Sequence, residues 1–407
     1  MSSRYRVEYA LKSHRRDAFI EWIKTLLAVP FVLHAVHGST ITGEESGKES
    51  RKRYAEIFSD IERLINDDIQ AQKDGKLELS RLRQLVPELG LMFTPLPLEE
   101  AFYIEDKRRS ISERRYVSPS FNDVRSILVT AQVLELAKSG LKLVTFDGDV
   151  TLYDDGECIA ADSPLIGKLI GLLENNIHVG IVTAAGYSEK SGKKYYIRLK
   201  GLIDAVRETE RLTVAQKEML YIMGGESNFL FKYDTESQRL KYIRHEDWLL
   251  PEMQSWTAED MEKVLDISEQ CLSDLSEKLQ LSAEIIRKER AIGIVAKSGS
   301  KLIREQLEEI VLSVQKKLEN DEVAQRLKFC AFNGGSDVWV DVGDKSLGVN
   351  SLQRFLGGIK PQETLHVGDQ FLSVGANDFK ARLVSCTAWI ASPSETEQCI
   401  SDLLEWI

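Results

Sequence analysis

The middle of the chain alternates between short apolar segments and a helix-like segment, and this pattern restricts the fold more than any other feature. The segments LKLVTFD (141–147) and IHVGIVT (177–183) are almost wholly apolar. Between them, DSPLIGKLIGLLENN (162–176) is typical of a helix, with Ser163 as its predicted N-cap and Pro164 in its first turn. Apolar strands joined by helices are typical of a parallel sheet that is buried on both faces. The sequence therefore predicts an α/β fold with a Rossmann-like parallel sheet.

The same alternation resumes towards the C-terminus. The segment LGVNSLQRFLGG (347–358) is predicted to be a helix, ETLHVGD (363–369) and ARLVSCTAWI (381–390) strands, and ETEQCISDLLEWI (395–407) a closing helix. A further helix, NDVRSILVTAQVLELAKSG, is predicted just before the first strand. Asn122 is its expected N-cap and Gly140 its expected end.

With 407 residues, the chain is long for one domain. Residues 1–120 show helical spacing of apolar positions and predict a helical N-terminal domain. Residues 121–190 and 336–407 carry the strand–helix alternation and predict the core. Residues 191–335 contain a hairpin-like stretch, two long charged helices and interleaved strands, which indicates an α/β cap inserted over the active edge.

Composition narrows the class of partner and compartment. The net charge of −11 argues against nucleic acid as the main partner, because a phosphate backbone attracts a basic surface. Five scattered cysteines without a CxxC pair indicate neither a zinc site nor a disulfide framework, so a cytoplasmic protein is expected. No transmembrane or secretory segment is predicted, since the apolar stretch TLLAVPFVLHAV is short and contains a proline.

Polar residues of distinct types follow three of the predicted strands. Asp147 and Asp149 end the first, Thr183 ends the second and Asp369 ends a third, while Lys345 opens the helix before that third strand. In open α/β sheets, ligands bind beyond the carboxyl ends of the strands. Acids can hold a hard cation while the lysine and the hydroxyl contact phosphoryl oxygens, so a magnesium and phosphate site is predicted. The alternatives are structural: Asp-containing turns, a strand-end hydroxyl and a solvated lysine.

These residues resemble the signatures of the haloacid dehalogenase-like phosphohydrolases. FDGDVT is similar to the first signature, and Thr183, Lys345 and the GD…ND pair at Asp369 and Asp378 are similar to the other three, in the same order. The insertion between the second and third signatures resembles the C2-type cap of that superfamily. Many members have glycine after the second aspartate, where this chain has Val150.

A narrower resemblance covers nearly the whole chain. VTFDGDVTLYDDG, VTAAGY and NGGSDVWVDVGDKSLGV together resemble the fungal and apicomplexan IMP-specific 5′-nucleotidases, which share the valine and a helical N-terminal extension. The resemblance implies hydrolysis of inosine monophosphate to inosine and phosphate, dependence on Mg²⁺, stimulation by ATP and a homotetramer.

The resemblance also implies roles for the motif residues. Asp147 would be the nucleophile that forms an aspartyl-phosphate. Asp149 would protonate the departing 5′-oxygen and then take a proton from the attacking water. Asp147, the backbone carbonyl of Asp149 and the Asp369 carboxylate would hold the metal. Thr183 and Lys345 would hold the equatorial phosphoryl oxygens.

In addition to Asp149, the resemblance implies five further contacts to the ribose or base: Asp155, Arg198, Asp337, Trp339 and Asp341. Physically, Trp339 could stack on a purine, and the alternate acids on one strand project to one face. Two alternatives stay open, because Trp339 also suits a core position and Arg198 also suits an exposed surface.

Other polar groups have weaker interpretations. The basic residues of stretch 107–115 suit an effector triphosphate or a solvated connector, and Asp378 suits either a metal ligand or a loop. His366 is expected to be a satisfied core residue. His34 and His37 lack partners for a metal site.

Two alternative functions remain open at this point. A phosphohexomutase or sugar phosphatase would use the same core and cap, and a scaffold protein without catalysis would use the same fold. Phosphate release from a nucleotide would separate the first from a nucleotidase, and failure to hydrolyse any phosphate ester would favour the second.

Overall fold

The computed structural model describes residues 17–37, 43–372 and 376–407, and the strands and helices below are numbered along the chain. The N-terminal part is helical, as predicted. Its helices are α1 (Ala18–His37), α2 (Gly43–Lys73), α3 (Arg81–Leu85) and α4 (Leu98–Arg109). They share one apolar core with α5 (Phe121–Ser139). None of the described helices is long and apolar enough to cross a bilayer.

The predicted parallel sheet is confirmed, and it is the larger of two sheets. Its seven strands lie in the order β11-β10-β1-β2-β3-β4-β5. Their bounds are β1 Leu143–Phe146, β2 His178–Thr183, β3 Leu220–Gly224, β4 Phe229–Asp234, β5 Arg239–Ile243, β10 Thr364–Gly368 and β11 Cys386–Trp389. The first five strands in that order pair in parallel, and β4 and β5 extend the sheet as an antiparallel hairpin.

Both faces of this sheet are buried, as the apolar strands predicted. Alternate residues point to opposite faces: Val144 and Phe146 belong to one apolar cluster, while Leu143 belongs to another. One face is covered by α5, α6 (Pro164–Glu174) and α16 (Pro393–Trp406), and the other by α15 (Lys345–Phe355). Short helices connect these layers: α7 Lys193–Arg198, α8 Lys200–Glu208, α9 Val214–Lys217, α10 His245–Trp248 and α11 Pro251–Gln254.

The cap is a four-stranded antiparallel sheet with helices on one face. Its strands are β6 (Ala283–Arg287), β7 (Ala291–Ala296), β8 (Phe329–Asn333) and β9 (Asp337–Val342), in the order β6-β7-β9-β8. Its helices are α12 (Ala258–Lys278), α13 (Arg304–Glu319) and α14 (Glu322–Leu327). Together they enclose a separate apolar core.

The sheets divide the chain differently from the predicted boundaries at 190/191 and 335/336. Strands β3 to β5 were expected in the cap but complete the large sheet, whereas β9 was expected in the core but lies in the cap sheet. A hairpin that extends a sheet edge has the same local pattern as one in an inserted domain, so sequence periodicity does not distinguish them.

Local predictions at the helix ends differ in outcome. The N-cap of α5 is Ser120 rather than Asn122, because Ser120 and Asp123 form a reciprocal capping box. Gly140 ends that helix in the left-handed conformation, and Pro164 opens α6 after Ser163, both as predicted. The predicted strand 381–390 is shorter than expected, since its first part continues a 3-10 turn (Phe379–Leu383).

Candidate active site

Three neighbouring parallel strands bring the predicted polar residues to one edge of the large sheet. Strands β10, β1 and β2 lie side by side, with Phe146 opposite Val367 and Ile181. Asp147 and Asp369 therefore emerge next to each other at the carboxyl ends, and Thr183 ends the strand on the other side of Asp147. The sequence prediction that these residues share one edge agrees with the geometry.

Lys345 enters this edge from the face of the sheet that α15 covers. It is the first residue of α15, whose N-cap is Asp344, and its side chain is fully buried. Its ammonium lies 2.9 Å from Asp147 Oδ1 and forms an ion pair with Asp378 Oδ1. Burial alone would lower the pKa of Lys345, but Asp147 and Asp378 outweigh it and hold the pKa above its usual range. The lysine is therefore a fixed positive charge.

Asp378 is held by donors on all sides, and it positions Lys345. Its Oδ1 faces His366 Nε2 at 3.1 Å, and its Oδ2 accepts from the Gln370 amide at 2.9 Å. Burial would raise the pKa of Asp378, but Lys345 and His366 outweigh it and keep the carboxyl ionised. His366 is buried and also contacts Thr145 Oγ1 at 2.9 Å. The expectation of a satisfied core histidine is met, and its partner is a residue of the site.

Three carboxylates converge with too little positive charge beside them. One oxygen from each of Asp147, Asp369 and Asp378 lies within 4.8 Å of the others. Burial, together with the neighbouring acids, raises the pKa of Asp147 to about 7 and that of Asp369 to about 8, although Lys345 opposes both shifts. A second cation would restore both ionised forms, and oxygen-only ligands suit Mg²⁺. The residues present fit that ion.

Asp149, the second predicted catalytic acid, points away from this cluster. Its Oδ1 accepts from the Gly156 amide at 3.0 Å and faces Arg198 Nη2 at 3.4 Å. Arg198 also donates to the Glu157 carbonyl at 2.8 Å. Arg198 is therefore no solvated surface charge but a contact of the acid predicted to move a proton.

Tyr153 was not predicted from the sequence, yet it forms a wall of the site. It is buried, and the Arg198 guanidinium lies 5.6 Å from its ring centroid. A Cβ atom added at Gly148 would lie 2.5 Å from Tyr153 Oη and 3.3 Å from Thr183 Oγ1. Glycine between the two aspartates thus makes room for the tyrosine hydroxyl. The sequence signal that could have pointed to Tyr153 is its position four residues after the predicted site acid Asp149.

The cap contributes one face of β9 to the site. Val338, Val340 and Val342 pack in the cap core, so the alternate residues face away from the cap helices. Those alternate residues are Asp337, Trp339 and Asp341. Burial raises the pKa of Asp341 to about 7 against the opposing effect of Lys288 and Lys345, and its Oδ2 has no hydrogen-bond partner among the described residues.

The predicted ribose contacts come from both sides of the cleft. Asp155 lies on the core loop after β1, and its Oδ2 would be 3.3 Å from a Cβ added at Gly335 in the cap. Asp155 also raises the pKa of Asp337, after burial, which is the main cause. The core loop and the tip of the cap therefore meet at this pair of acids.

Glu226, like Tyr153, was not predicted from the sequence, and its charge acts on Lys345. Glu226 is fully buried in the turn after β3, and burial raises its pKa well above the usual value. Its Oε1 accepts from Asn377 at 3.3 Å, while its Oε2 has no partner among the described residues. The sequence signal that could have pointed to Glu226 is its position in the turn after an apolar strand.

The basic stretch 107–115 lies at the end of α4 and in the segment that follows it. Three of its arginines are paired with carboxylates: Arg108 with Glu105 and Asp402, Arg109 with Glu105, and Arg114 with Asp123. The Arg108–Asp402 pair joins α4 to α16, and the Arg114–Asp123 pair joins the segment after α4 to α5, whereas the Arg109–Glu105 pair lies within α4. A triphosphate site in this stretch stays a prediction. The side chains of His34 and His37 lie outside the described residues.

Comparison with known proteins identifies relatives along the whole chain. A family model described as IMP-specific 5′-nucleotidase matches residues 1–400. The IMP-specific 5′-nucleotidase 1 of Yarrowia lipolytica is 58% identical, with 100% of this chain and 98% of the relative covered. That of Emericella nidulans is 51% identical, with 99% and 98% covered.

Solved structures show the same fold. The IMP-bound, N-terminally truncated Plasmodium falciparum IMP-nucleotidase superposes with a TM-score of 0.84 at 33% identity, covering 96% of both chains. The ATP-bound Plasmodium falciparum IMP-nucleotidase gives 0.82 at 33% identity, covering 99% of this chain and 88% of that one. The chain therefore belongs to the IMP-specific 5′-nucleotidase family, a family of phosphoric monoester hydrolases.

Proposed function

We propose that this chain hydrolyses inosine 5′-monophosphate to inosine and phosphate. The observation that carries the proposal is the ion pair between the buried Lys345 and Asp147 at the edge where Thr183 and Asp369 also emerge. A carboxylate beside a fixed cation and a hydroxyl suits nucleophilic attack on a phosphoryl group. Family membership supports IMP as the substrate.

The nucleophile in this proposal is Asp147. Its Oδ1 accepts from Lys345 at 2.9 Å and from the Gly148 amide at 2.7 Å, whereas its Oδ2 has no donor among the described residues. Oδ2 is therefore the oxygen that attacks phosphorus, forming an aspartyl-phosphate as the bond to the 5′-oxygen breaks. Thr183 Oγ1 and the Lys345 ammonium donate to the equatorial phosphoryl oxygens, where negative charge accumulates.

Mg²⁺ is proposed as the cofactor, held by Asp147, Asp369 and the backbone carbonyl of Asp149. The three converging carboxylates and the raised pKa values of Asp147 and Asp369 support a divalent cation there. When bound, the ion would neutralise charge on the transferring group.

Proton transfer is assigned to Asp149. It gives a proton to the departing 5′-oxygen of inosine and later takes one from the water that cleaves the aspartyl-phosphate, which releases phosphate. In the present arrangement Arg198 Nη2 lies 3.4 Å from Asp149 Oδ1. A turn of Arg198 towards the substrate would free this oxygen, in keeping with the proposed role of Arg198 in substrate binding.

The substrate would lie along the cap strand. Asp155, Asp337 and Asp341 are acceptors and suit ribose hydroxyls or an N–H of the base, and Trp339, on the same face of β9, would contact the base. The common orientation of the alternate β9 residues supports this arrangement.

One assay tests the function. The purified chain is incubated with IMP, AMP, GMP or a sugar phosphate, with Mg²⁺ or with a chelator, and released phosphate is measured. IMP is expected to be hydrolysed fastest, and only with Mg²⁺, and Asp147→Asn is expected to abolish turnover. Preferential hydrolysis of the sugar phosphate, or substantial activity of Asp147→Asn, would overturn the proposal.

ATP stimulation and a homotetramer are also proposed, together with a cytoplasmic location. An ATP-bound structure of the Plasmodium falciparum relative supports an ATP site. Five free cysteines support a reducing compartment. Adding ATP to the assay, measuring the molar mass by light scattering and imaging a tagged chain would test the three statements in turn.

A further inference from the structure

Lys288 lies in the turn between β6 and β7 of the cap and differs from the two arginines beside it in its partners. Its neighbours Arg287 and Arg290 are each paired with acids. Among the described residues, no carboxylate lies within ion-pairing distance of the Lys288 ammonium. The side chain is nevertheless half-buried, so water does not fully replace the missing partner.

The ammonium of Lys288 lies over an aromatic ring on the side of the cap that faces the site. Its Nζ is 3.8 Å from the centroid of Trp339, within the range of a cation–π contact. Gly293, opposite Trp339 in the sheet, gives the indole room: a Cβ atom there would lie 2.5 Å from the ring. The position of the indole, and of the cation above it, is thus built into the sheet.

Lys288 also lines a cavity between the cap and the core. The cavity has a volume of about 260 Å³ and is bounded by Lys288 and Asp341 on the cap side. On the core side it is bounded by Tyr187 and Asn228, from the loops that follow β2 and β3. The loop that carries Tyr187 starts after Thr183, the last residue of β2, and so connects this cavity in sequence to the proposed phosphate site.

We infer that Lys288 donates a hydrogen bond to the 6-oxo group of the purine and so selects 6-oxopurine over 6-aminopurine nucleotides. The inference rests on the proposed function. Trp339 is two residues before Asp341 on the same face, about 7 Å along the strand, so a nucleotide whose ribose contacts Asp341 directs its base towards the Lys288–Trp339 pair.

The chemistry of the donors and acceptors supports this choice. An ammonium only donates hydrogen bonds, and it needs an acceptor on the ligand. The cleft acids Asp155, Asp337 and Asp341 suit the hydroxyls of the ribose, and the phosphate has Lys345 and Thr183. Hypoxanthine offers a carbonyl oxygen at position 6, whereas adenine offers an amino group that would face the ammonium donor to donor. A site that leaves its own polar group unpaired rejects such an analogue.

Measuring kcat/KM for IMP, GMP and AMP tests the inference in the full chain. Lys288→Met keeps the length of the side chain and removes the donor. It is expected to lower kcat/KM for IMP and GMP about 10- to 100-fold, the effect of one hydrogen bond to a charged group, and to change AMP much less. Lys288→Arg keeps donors and should retain the preference, and Lys288→Gln is a second neutral variant if methionine disturbs the cap. Arg287→Met, the ion-paired neighbour, is the matched control and should leave the IMP-to-AMP ratio unchanged.

Each outcome supports or overturns the inference. A collapsed IMP-to-AMP ratio in both neutral variants supports it. An unchanged ratio, including an equal loss for IMP and AMP, overturns it, because Lys288 would then contact a group that both nucleotides share. A wild-type chain that hydrolyses AMP or a sugar phosphate in preference to IMP overturns the proposed function and this inference together. If the wild type prefers IMP, the variants test the role of Lys288 alone.

Discussion

Gly148, between the two site aspartates, is predicted to be intolerant of even one methyl group. A Cβ atom at this position would lie 2.5 Å from Tyr153 Oη, about 1 Å closer than an ordinary non-bonded contact. Its φ is not positive, so the backbone itself accepts alanine. Tyr153 is buried and packs against Arg198, which leaves the hydroxyl little space to retreat. The strain in Gly148→Ala is therefore a steric clash with one oxygen atom.

The clash has an expected magnitude and a specific rescue. Gly148→Ala should lower the free energy of unfolding by about 1–3 kcal/mol, as overpacking of a buried site does. It should also reduce kcat, because Tyr153 can move only by displacing the groups around Asp149. In Gly148→Ala/Tyr153→Phe the hydroxyl is gone, and the nearest ring carbon would lie 3.3 Å from the new methyl group. The double variant should therefore recover most of the lost stability.

The assay is a double-mutant cycle of denaturant unfolding on the wild type, both single variants and the double variant, with phosphate release measured on each. Gly167→Ala is the control, since the added atom meets nothing within 4 Å in the middle of α6. That control should be neutral or stabilise the protein by about 0.5–1 kcal/mol. A double variant no more stable than Gly148→Ala would refute the reasoning, because the clash would not then be with the hydroxyl.

Three further predictions concern the metal ligands, the lysine and one ion pair. Asp369→Asn should raise the Mg²⁺ concentration for half-maximal activity by about 10-fold or more, and an unshifted Mg²⁺ titration would contradict this. Asp378→Asn should lower kcat by about 100-fold, because it removes the charge that positions Lys345; kcat close to that of the wild type would argue against this role. Arg114→Met should cost about 2 kcal/mol of stability at neutral pH. Burial would raise the pKa of Asp123, but Arg114 outweighs it and lowers the pKa below 3.8, so this stability is present above that value and is lost as pH falls through the folded pKa. The difference in melting temperature between the wild type and Arg114→Met should shrink in acid. A difference that stays constant with pH would contradict this role of the Arg114–Asp123 pair.

The sequence predicted correctly that these polar residues share one edge of the sheet, because each part depends on local pattern and on a simple rule. Apolar strands in a strand–helix alternation imply a parallel sheet, and parallel strands end at one edge. Asp147, Thr183 and Asp369 followed from that rule alone. Lys345 was a less specific signal, since a lysine at a helix start is common.

The remaining features depend on contacts between distant segments. The pairing of Asp149 with Arg198 joins residues 49 positions apart, and no periodicity encodes it. The sequence pattern allows the hairpin β4–β5 to belong to either sheet. Its pairing with β3 places it in the large sheet. The N-cap at Ser120 depended on a reciprocal bond to Asp123, a stronger arrangement than the single cap expected at Asn122.

The cap strand β9 and Lys345 are almost continuous in the chain. Only Gly343 and Asp344 separate Val342 from Lys345, and Asn228 of the core donates to the Val342 carbonyl at 2.8 Å. In the proposed mechanism, a rotation of the cap away from the sheet would bend the chain within these two residues or displace the Lys345 ammonium from Asp147. If entry of the nucleotide and release of phosphate require such a rotation, Gly343, whose backbone already lies in the left-handed region, is the residue at which the chain would bend.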